Sequence, residues 1–316
     1  MTAVQERLRD ECRRLLESKE VDVILGYQRG TLPLRSAPLF ARRPEDVERM
    51  IWDETCENTV SVYIPRLRGS RVGIVAKGCD GRWVVEYITE NQVSRSALKV
   101  IGVPCDGVLS RRALEKVAGL RTIYEGHLED GHVVIQGRGW KERVPIQEVL
   151  EPSCKTCVQK SSPIIDVDLG RVESPNPKGD FGDVAAVEAQ EVDDRWDLFA
   201  QEASKCIRCY ACRQACPGCY CKVCFVDRSK PTWVGGTDDL TDAMVFHIMR
   251  AMHLAGRCVD CGACEKACPA GVNLRLLNRK LEKDARELYG HVAGLRVDDK
   301  PMLSTFRPND PGDFIM

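Results

Sequence analysis

The sequence predicts an α/β N-terminal domain followed by a mainly α-helical domain, and three observations support this prediction. Two continuous apolar runs, 71–77 and 98–103, are each followed by a segment suited to a helix, as in parallel strands joined by crossover helices. Two later segments repeat apolar residues at helical spacing. The same later region contains two copies of one cysteine motif. We expect an α/β domain at 1–171 and an acidic linker at 172–194. A helical domain should follow at 195–292, and an irregular tail at 293–316.

Composition limits the classes of protein to which the chain can belong. Its 316 residues are enough for two domains with separate cores, and 43% hydrophobic and 29% charged residues are ordinary for a globular protein. The net charge of −1 gives no indication of a nucleic-acid or anionic membrane surface. No apolar run approaches the roughly 20 residues that span a bilayer, and Glu6, Arg7 and Arg9 argue against a signal peptide. We therefore expect a cytoplasmic protein, in which 17 cysteines indicate metal or redox chemistry rather than disulfides.

The first elements along the chain are a helix and a short strand. Residues 4–18 place Leu8, Cys12, Leu15 and Leu16 on one side of an amphipathic helix, so Cys12 is expected to be a buried small hydrophobe. Residues 21–25 form a β-rich run. The segment 30–44 contains three prolines and is expected to be irregular, and a helix is expected to begin at Pro44.

Cys79 and Cys105 directly follow the two apolar runs. Because open α/β sheets hold their ligands at the carboxyl ends of the strands, we expect these two thiols to lie close together. Predicted helices follow at 83–91 and 110–118. Three short strands are then expected at 122–124, 132–136 and 141–144, with a turn at Asp130-Gly131.

Cys154 and Cys157 form a C-x2-C pair, which alone fits a zinc site, a redox dithiol or an iron–sulfur cluster. Together with Cys79 and Cys105 they supply four thiolates. We interpret these four residues, called the N-terminal thiol set, as a [4Fe-4S] site. Cys56 is a spare thiol that could replace one of them. The alternatives are that Cys79 and Cys105 are core thiols, or that the site binds zinc.

The two copies of the cysteine motif both read C-x2-C-x2-C-x3-C-P. This is the run of bacterial two-cluster ferredoxins, in which the cysteine before proline ligates the neighbouring cluster. The first thiol set for one [4Fe-4S] cluster is therefore Cys206, Cys209, Cys212 and Cys268. The second thiol set is Cys258, Cys261, Cys264 and Cys216. A pair of zinc knuckles or a disulfide framework is the alternative, but two identical copies that each end in Cys-Pro favour clusters.

Helices flank the second motif. Residues 238–255 carry Leu240, Met244, His247, Ile248, Ala251 and Leu254 on one face and end at Gly256. Residues 274–289 carry a stripe of Leu274, Leu277, Leu281 and Leu288, a solvated side of Lys280, Glu282 and Lys283, and a stop at Gly290. This arrangement resembles the all-helical ferredoxin domain of succinate dehydrogenase iron–sulfur subunits and of the C subunit of heterodisulfide reductase. For His247 and His253, packing or a hydrogen bond to cluster sulfur is favoured over ligation.

Three further thiols, Cys219, Cys221 and Cys224, follow the first motif at a spacing that matches no known cubane pattern. They could bind a metal with one outside ligand, shield a cluster or contact the redox centre of a partner.

The N-terminal half resembles the beta subunits of deazaflavin (coenzyme F-420)-reducing hydrogenases and formate dehydrogenases over roughly residues 20 to 170. The matching pieces are the strand leading to Val103-Pro104-Cys105 and the pair Cys154 and Cys157 followed by 164–170. Gly78-Cys79-Asp80 and the stretch 21–35 resemble the variants that accompany heterodisulfide-reductase-type complexes. The resemblance implies a [4Fe-4S] site on the N-terminal thiol set and FAD as an electron converter. The chain, however, lacks the Gly-Gly-x-x-Thr-Ala stretch of the flavin-binding members.

The favoured hypothesis is an electron-transfer iron–sulfur subunit of a multi-subunit redox complex. Its expected neighbours are a formate dehydrogenase or hydrogenase on one side and a heterodisulfide-reductase-like flavoprotein on the other. The alternative is a flavin-dependent oxidoreductase acting on a deazaflavin or nicotinamide, and a third class is a zinc-stabilised scaffold.

Overall fold

The computed structural model describes residues 3–175 and 177–304. Helix α1 (Ala3–Glu17) buries Leu8, Cys12, Leu15 and Leu16, which confirms the predicted apolar stripe. Cys12 is fully buried, and burial raises the pKa of its thiol well above the usual range. The side chain therefore stays neutral and packs as a small hydrophobe.

The segment 30–44 is not irregular throughout, because it contains a strand. Strand β1 (Val23–Arg29) extends beyond its predicted end and pairs antiparallel with β2 (Ser36–Ala41). Pro38 is tolerated within β2 because this strand lies at the sheet edge, where a missing N–H breaks no ladder between two neighbours. The helix expected from Pro44 is a short 3-10 helix, Pro44–Arg49.

The two apolar runs form neighbouring parallel strands, β3 (Val72–Ala76) and β4 (Leu98–Gly102), as predicted. Helix α2 (Gly78–Thr89) begins earlier than expected and places Cys79 in its first turn. A Cβ at Gly78 would lie 1.8 Å from the carbonyl oxygen of Gln159, so only glycine permits this approach of the two segments. Helix α3 (Arg111–Ala118) is capped by Ser110, whose Oγ accepts a hydrogen bond from Ala113 N–H.

A separate three-stranded antiparallel sheet follows, in the order β5 (Glu125–Glu129), β6 (His132–Gly137) and β7 (Trp140–Pro145). The predicted second and third strands are confirmed, whereas the first lies beyond the predicted 122–124. Asp130 and Gly131 have φ values of 45° and 72°. Two adjacent left-handed residues suit the two-residue hairpin turn, so the predicted turn is confirmed.

The main sheet is completed by residues that follow the C-x2-C pair. Helix α4 (Pro152–Lys155) carries Cys154, and β8 (Val167–Asp168) pairs parallel with β4. The strand order is β2-β1-β3-β4-β8. All five residues of β3 are buried, which is the pattern of a strand covered on both faces.

The acidic segment 172–194 contains helical structure. Helix α5 (Gly182–Glu188) lies within it, and α6 (Val192–Ser204) begins before its end. Neither Asp193 nor Asp194 is the N-cap, contrary to expectation. Both lie in the first turn of α6, where a carboxylate is favourable to the helix dipole.

The cysteine motifs contain two short helices, α7 (Ala211–Ala215) and α9 (Ala263–Ala267), and two longer helices follow them: α8 (Leu240–His253) and α10 (Arg275–Tyr289). Helix α8 is capped by Asp239, whose carboxylate accepts hydrogen bonds from two backbone N–H groups. Leu240 and Ile248, expected on the inner face, are each 40% exposed. The inner face instead includes Phe246 and Arg250.

Helix α10 buries a more polar face than its apolar stripe predicted, although Leu274 is buried and Leu277 and Leu281 are half-buried. Its buried residues are mainly polar and include Arg275, Arg279 and Glu282, whereas Leu288 is 38% exposed. The reason is electrostatic, because Arg275 and Arg279 lie 2.7 and 3.0 Å from the carboxylate of Asp260 in the second motif. The predicted stop at Gly290 is confirmed by its left-handed φ of 63°.

The described residues thus form an α/β region followed by a helical region, in the predicted order. None of the helices in 3–175 and 177–304 is both long and apolar enough to cross a membrane.

Candidate metal centres

The first thiol set surrounds a single cavity. Its four cysteines line this cavity together with Phe246 and His247 of α8. Three of the thiols come from the first motif and Cys268 comes from the second. Burial raises the pKa of Cys206, and repulsion from Cys268 and Cys209 adds to this effect. The cross-motif grouping expected from the sequence is therefore the grouping that the fold brings together.

The second thiol set combines three cysteines of the second motif with Cys216 of the first. Cys216, Cys258 and Cys261 pack in one apolar cluster with Trp83 and Leu254. Burial raises the pKa of Cys264 to about 11, with repulsion from Cys216 and Cys261 as a further cause. All four thiols therefore lie close enough to interact.

The two motif loops share a backbone conformation suited to holding anionic sulfur. Arg208 and Tyr210 in the first loop, and Asp260 and Gly262 at the equivalent positions of the second, all have left-handed φ values between 51° and 70°. In the first loop, Arg208 N–H donates to Cys206 Sγ at 3.4 Å. In the second, the N–H of Asp260 donates to the thiol of Cys258. Concave loops of this kind, with N–H groups turned inward, bind anions and iron–sulfur clusters.

The N-terminal thiol set also lines one cavity, at the carboxyl edge of the main sheet. Cys79 follows β3, Cys105 follows β4, and Cys154 belongs to α4. Burial raises the pKa of Cys105 to about 12, and repulsion from Cys154 contributes. Cys56 lies apart from this cavity in the apolar core, with its Sγ 3.8 Å from the carbonyl oxygen of Ile51.

Several buried hydrogen-bond donors beside the thiol sets lack an acceptor within the part of the chain that the structure describes. They are Arg82 Nη2 and Arg250 Nε, and His247 Nε2 joins them in the tautomer that carries its proton there. Arg82 lines the N-terminal cavity and His247 lines the cavity of the first thiol set. Because a buried donor without an acceptor is costly, these positions fit an acceptor-rich group such as a cluster with its sulfides. Among the described residues, no group of three or more His, Cys, Asp or Glu side chains is arranged to hold a single metal ion.

A buried ion pair stands beside Cys79. Lys77 is 2% exposed, and its Nζ lies 2.9 Å from a carboxylate oxygen of Asp80 and donates to Tyr27 Oη at 2.6 Å. Lys77 also lines the N-terminal cavity. The ammonium group therefore contributes positive charge beside the thiols, and Asp80 and Tyr27 hold it in place.

Contacts between helix α2 and the second motif bring the N-terminal and second thiol sets together. Trp83 Nε1 donates to Cys261 Sγ at 3.4 Å, and Arg82 donates to the carbonyl oxygens of Val259 and Ala293, each at 2.9 Å. Cys261 itself lines the N-terminal cavity. Sequence reasoning missed Arg82 and Trp83. Their only signal is their position three and four residues after Cys79, which places them on the same face of a helix.

The two histidines of α8 differ. Burial lowers the pKa of His247 to about 4, so its ring is neutral, and it lines the first cavity. His253 packs edge-on against Phe225 with ring centroids 5.4 Å apart. That His247 hydrogen-bonds cluster sulfur remains a prediction.

The three extra thiols lie around a different, larger space. Cys219, Cys221 and Cys224 line a cavity of about 950 Å³ that also contacts Arg213 and Arg257. Cys216 of the second thiol set forms part of its wall. Of the three extra thiols, Cys219 packs with Cys216, Cys258 and Cys261 of the second thiol set and shares a hydrogen bond with Cys216.

No protein-family model matches the chain. Two curated relatives, however, match almost all of it. The F420-dependent formate dehydrogenase subunit beta of Methanocaldococcus jannaschii is 20% identical over 93% of this chain and 92% of that protein. The F420-dependent formate dehydrogenase 1 subunit beta of Methanococcus maripaludis is 21% identical over 92% and 90% of the two chains. A solved chain from the F420-reducing [NiFe] hydrogenase complex of Methanosarcina barkeri superposes with a TM-score of 0.37 and 17% identity, over 48% of this chain and 59% of that chain. The chain is thus related along most of its length to the beta subunits of F420-dependent formate dehydrogenases, which confirms the resemblance that its motifs indicated.

Proposed function

We propose that this chain is an electron-transfer subunit of an oxidoreductase complex and that its three thiol sets hold three [4Fe-4S] clusters. The observation that carries the proposal is the grouping of twelve cysteines into three sets of four. Two of these sets each line one cavity. In the third, Cys216, Cys258 and Cys261 pack together beside Trp83, and Cys264 interacts electrostatically with Cys216 and Cys261. The relationship to formate dehydrogenase beta subunits supports the same class of function.

The chain's own residues would hold such clusters close to one another. The N-terminal set adjoins the second set through Cys261, which lines the N-terminal cavity. The second set adjoins the first because each contains one cysteine from the other's motif. When bound, the clusters would supply one-electron carriage at potentials set by charge, burial and hydrogen bonds to sulfur. Trp83, the motif-loop N–H groups and Lys77 are the groups that would set those potentials.

The proposed partners are redox proteins. Because the relatives are named as subunits of F420-dependent formate dehydrogenases, we propose a formate dehydrogenase- or hydrogenase-type catalytic subunit as one neighbour. The heterodisulfide-reductase-like flavoprotein as the other neighbour remains a prediction from the motifs. FAD binding and the flavin-dependent alternative are likewise predictions, and released flavin would distinguish that alternative.

Iron, sulfide and flavin content per chain, after purification without oxygen, tests the proposal. About twelve irons and no flavin are expected for three cubanes. About eight irons would remove the N-terminal cluster from the proposal, and the absence of iron would overturn it. The control variant Cys12→Ala should keep the full iron content, because Cys12 packs only in the core around α1.

A further inference from the structure

Arg250 is a buried cation without a carboxylate partner. It lies in the last turn of α8 and is 5% exposed. Its Nη2 donates to the carbonyl oxygen of Cys212 at 3.4 Å, and its Nε has no acceptor in the described ranges. Within 3–175 and 177–304, no carboxylate lies at ion-pair distance from its guanidinium. A guanidinium remains protonated in proteins, so a full positive charge is buried here.

The groups around this charge are sulfur atoms from both motifs. Arg250 donates to the carbonyl oxygen of Cys212 and lines one cavity with Cys216 and Cys219, and its guanidinium also interacts electrostatically with the thiol of Cys264. Cys212 belongs to the first thiol set, whereas Cys216 and Cys264 belong to the second. The guanidinium therefore lies between the two sets and acts on both.

The protonation state of the surrounding thiols determines whether the buried charge of Arg250 is compensated. A buried charge must be paired and hydrogen-bonded, or it is strongly unfavourable. Protonated thiols would leave Arg250 uncompensated, whereas thiolates bound to iron supply negative charge and sulfur acceptors on both sides. The Nε without a protein acceptor fits the same arrangement.

We propose that Arg250 is the shared counter-charge of the two ferredoxin-type clusters and raises the reduction potentials of both. This inference rests on the proposed function, because it requires clusters in the first and second thiol sets. Reduction adds negative charge to a cluster, and a fixed cation nearby favours that state. Because both sets face one guanidinium, a change at this residue should shift both potentials together.

Redox titration of the anaerobically purified full chain, followed by electron paramagnetic resonance, tests the inference. In Arg250→Gln, both ferredoxin-type clusters should become harder to reduce. At a fixed ambient potential, the ratio of reduced to oxidised cluster should fall at least tenfold, which corresponds to a shift of about 59 mV in reduction potential. The cluster of the N-terminal thiol set should not shift. Arg250→Lys keeps the charge and should shift both potentials less. Arg121→Gln removes a guanidinium that stacks on Trp140 at 4.3 Å and should change nothing.

The outcomes separate the two proposals. A wild-type chain that binds no iron overturns the proposed function and this inference together. A wild-type chain with clusters whose potentials are unchanged in Arg250→Gln overturns the inference alone, and so does a shift of only one ferredoxin-type cluster. If Arg250→Gln does not retain iron, pulsed resonance decides on wild-type chain labelled with arginine that carries ¹⁵N only in its guanidinium, because the backbone N–H of Arg208 also contacts the first set. Coupling to an arginine nitrogen in both cluster signals supports the inference, and its absence from either signal overturns it.

Discussion

The hydrogen bond from Trp83 to Cys261 gives the sharpest test of how the α/β region acts on the second thiol set. The indole N–H donates to Cys261 Sγ at 3.4 Å, and Trp83 is only 1% exposed. Trp83→Phe removes the donor and keeps an aromatic ring. Because an N–H donor favours the more negative, reduced state of a cluster, its loss should lower the reduction potential at the second set.

The magnitude follows from the energy of a hydrogen bond to a charged group, which is about 1.5–3 kcal/mol. Only the difference in hydrogen-bond energy between the oxidised and the reduced cluster affects the reduction potential. If this difference is about 1 kcal/mol, the shift is about 40 mV, since a tenfold change in a one-electron equilibrium corresponds to about 59 mV. The substitution also leaves a gap beside Gly218, which packs closely on the indole ring, so stability should fall as well.

A redox titration of the anaerobic chain, with Tyr87→Phe as the matched control, separates these effects. Tyr87 lies on the same helix and is also buried, and its hydroxyl donates to the carbonyl oxygen of Pro217 at 2.9 Å. The control loses a buried hydrogen bond that does not involve sulfur, so its potentials should equal those of wild type. An unchanged potential in Trp83→Phe, or the same shift in Tyr87→Phe, would refute the reasoning.

Three further predictions concern the thiol sets and one buried carboxyl group. Cys268→Ser should remove about four irons and the resonance signal of the first set although it lies in the second motif; loss of the second-set signal alone would contradict the cross-motif grouping. Cys79→Ser should also remove about four irons, whereas Cys56→Ser should remove none, and equal iron contents would disprove the N-terminal site. Burial, with repulsion from Glu90, raises the pKa of Glu86 to about 8 from a usual 4.5. Its ionisation therefore costs stability progressively between these pH values, by at most about 5 kcal/mol. Glu86→Gln should raise the Tm strongly at pH 8.5 and little at pH 5, and an equal effect at both would show that the group titrates normally.

Much of the fold could be predicted from local patterns. The apolar runs at 71–77 and 98–103 are too continuous for a half-exposed strand, and they form neighbouring parallel strands. The C-x2-C-x2-C-x3-C-P spacing predicts that the cysteine before proline joins the thiols of the other motif. The fold brings Cys268 to the cavity of the first motif. The edge strand β2 was missed because its proline argues against a strand unless the strand's position in the sheet is known.

The features that only the tertiary structure decided involve contacts between distant parts of the chain. Helix α10 buries its charged side because Arg275 and Arg279 meet Asp260 of the second motif, and an apolar stripe alone cannot reveal a partner in another segment. The contact between Trp83 and Cys261 likewise joins two distant segments of the chain, so no local pattern reveals it. The sequence by itself determined which cysteines are candidate cluster ligands. Packing determined which cations and N–H groups surround them, because burial and charge pairing depend on residues far apart along the chain.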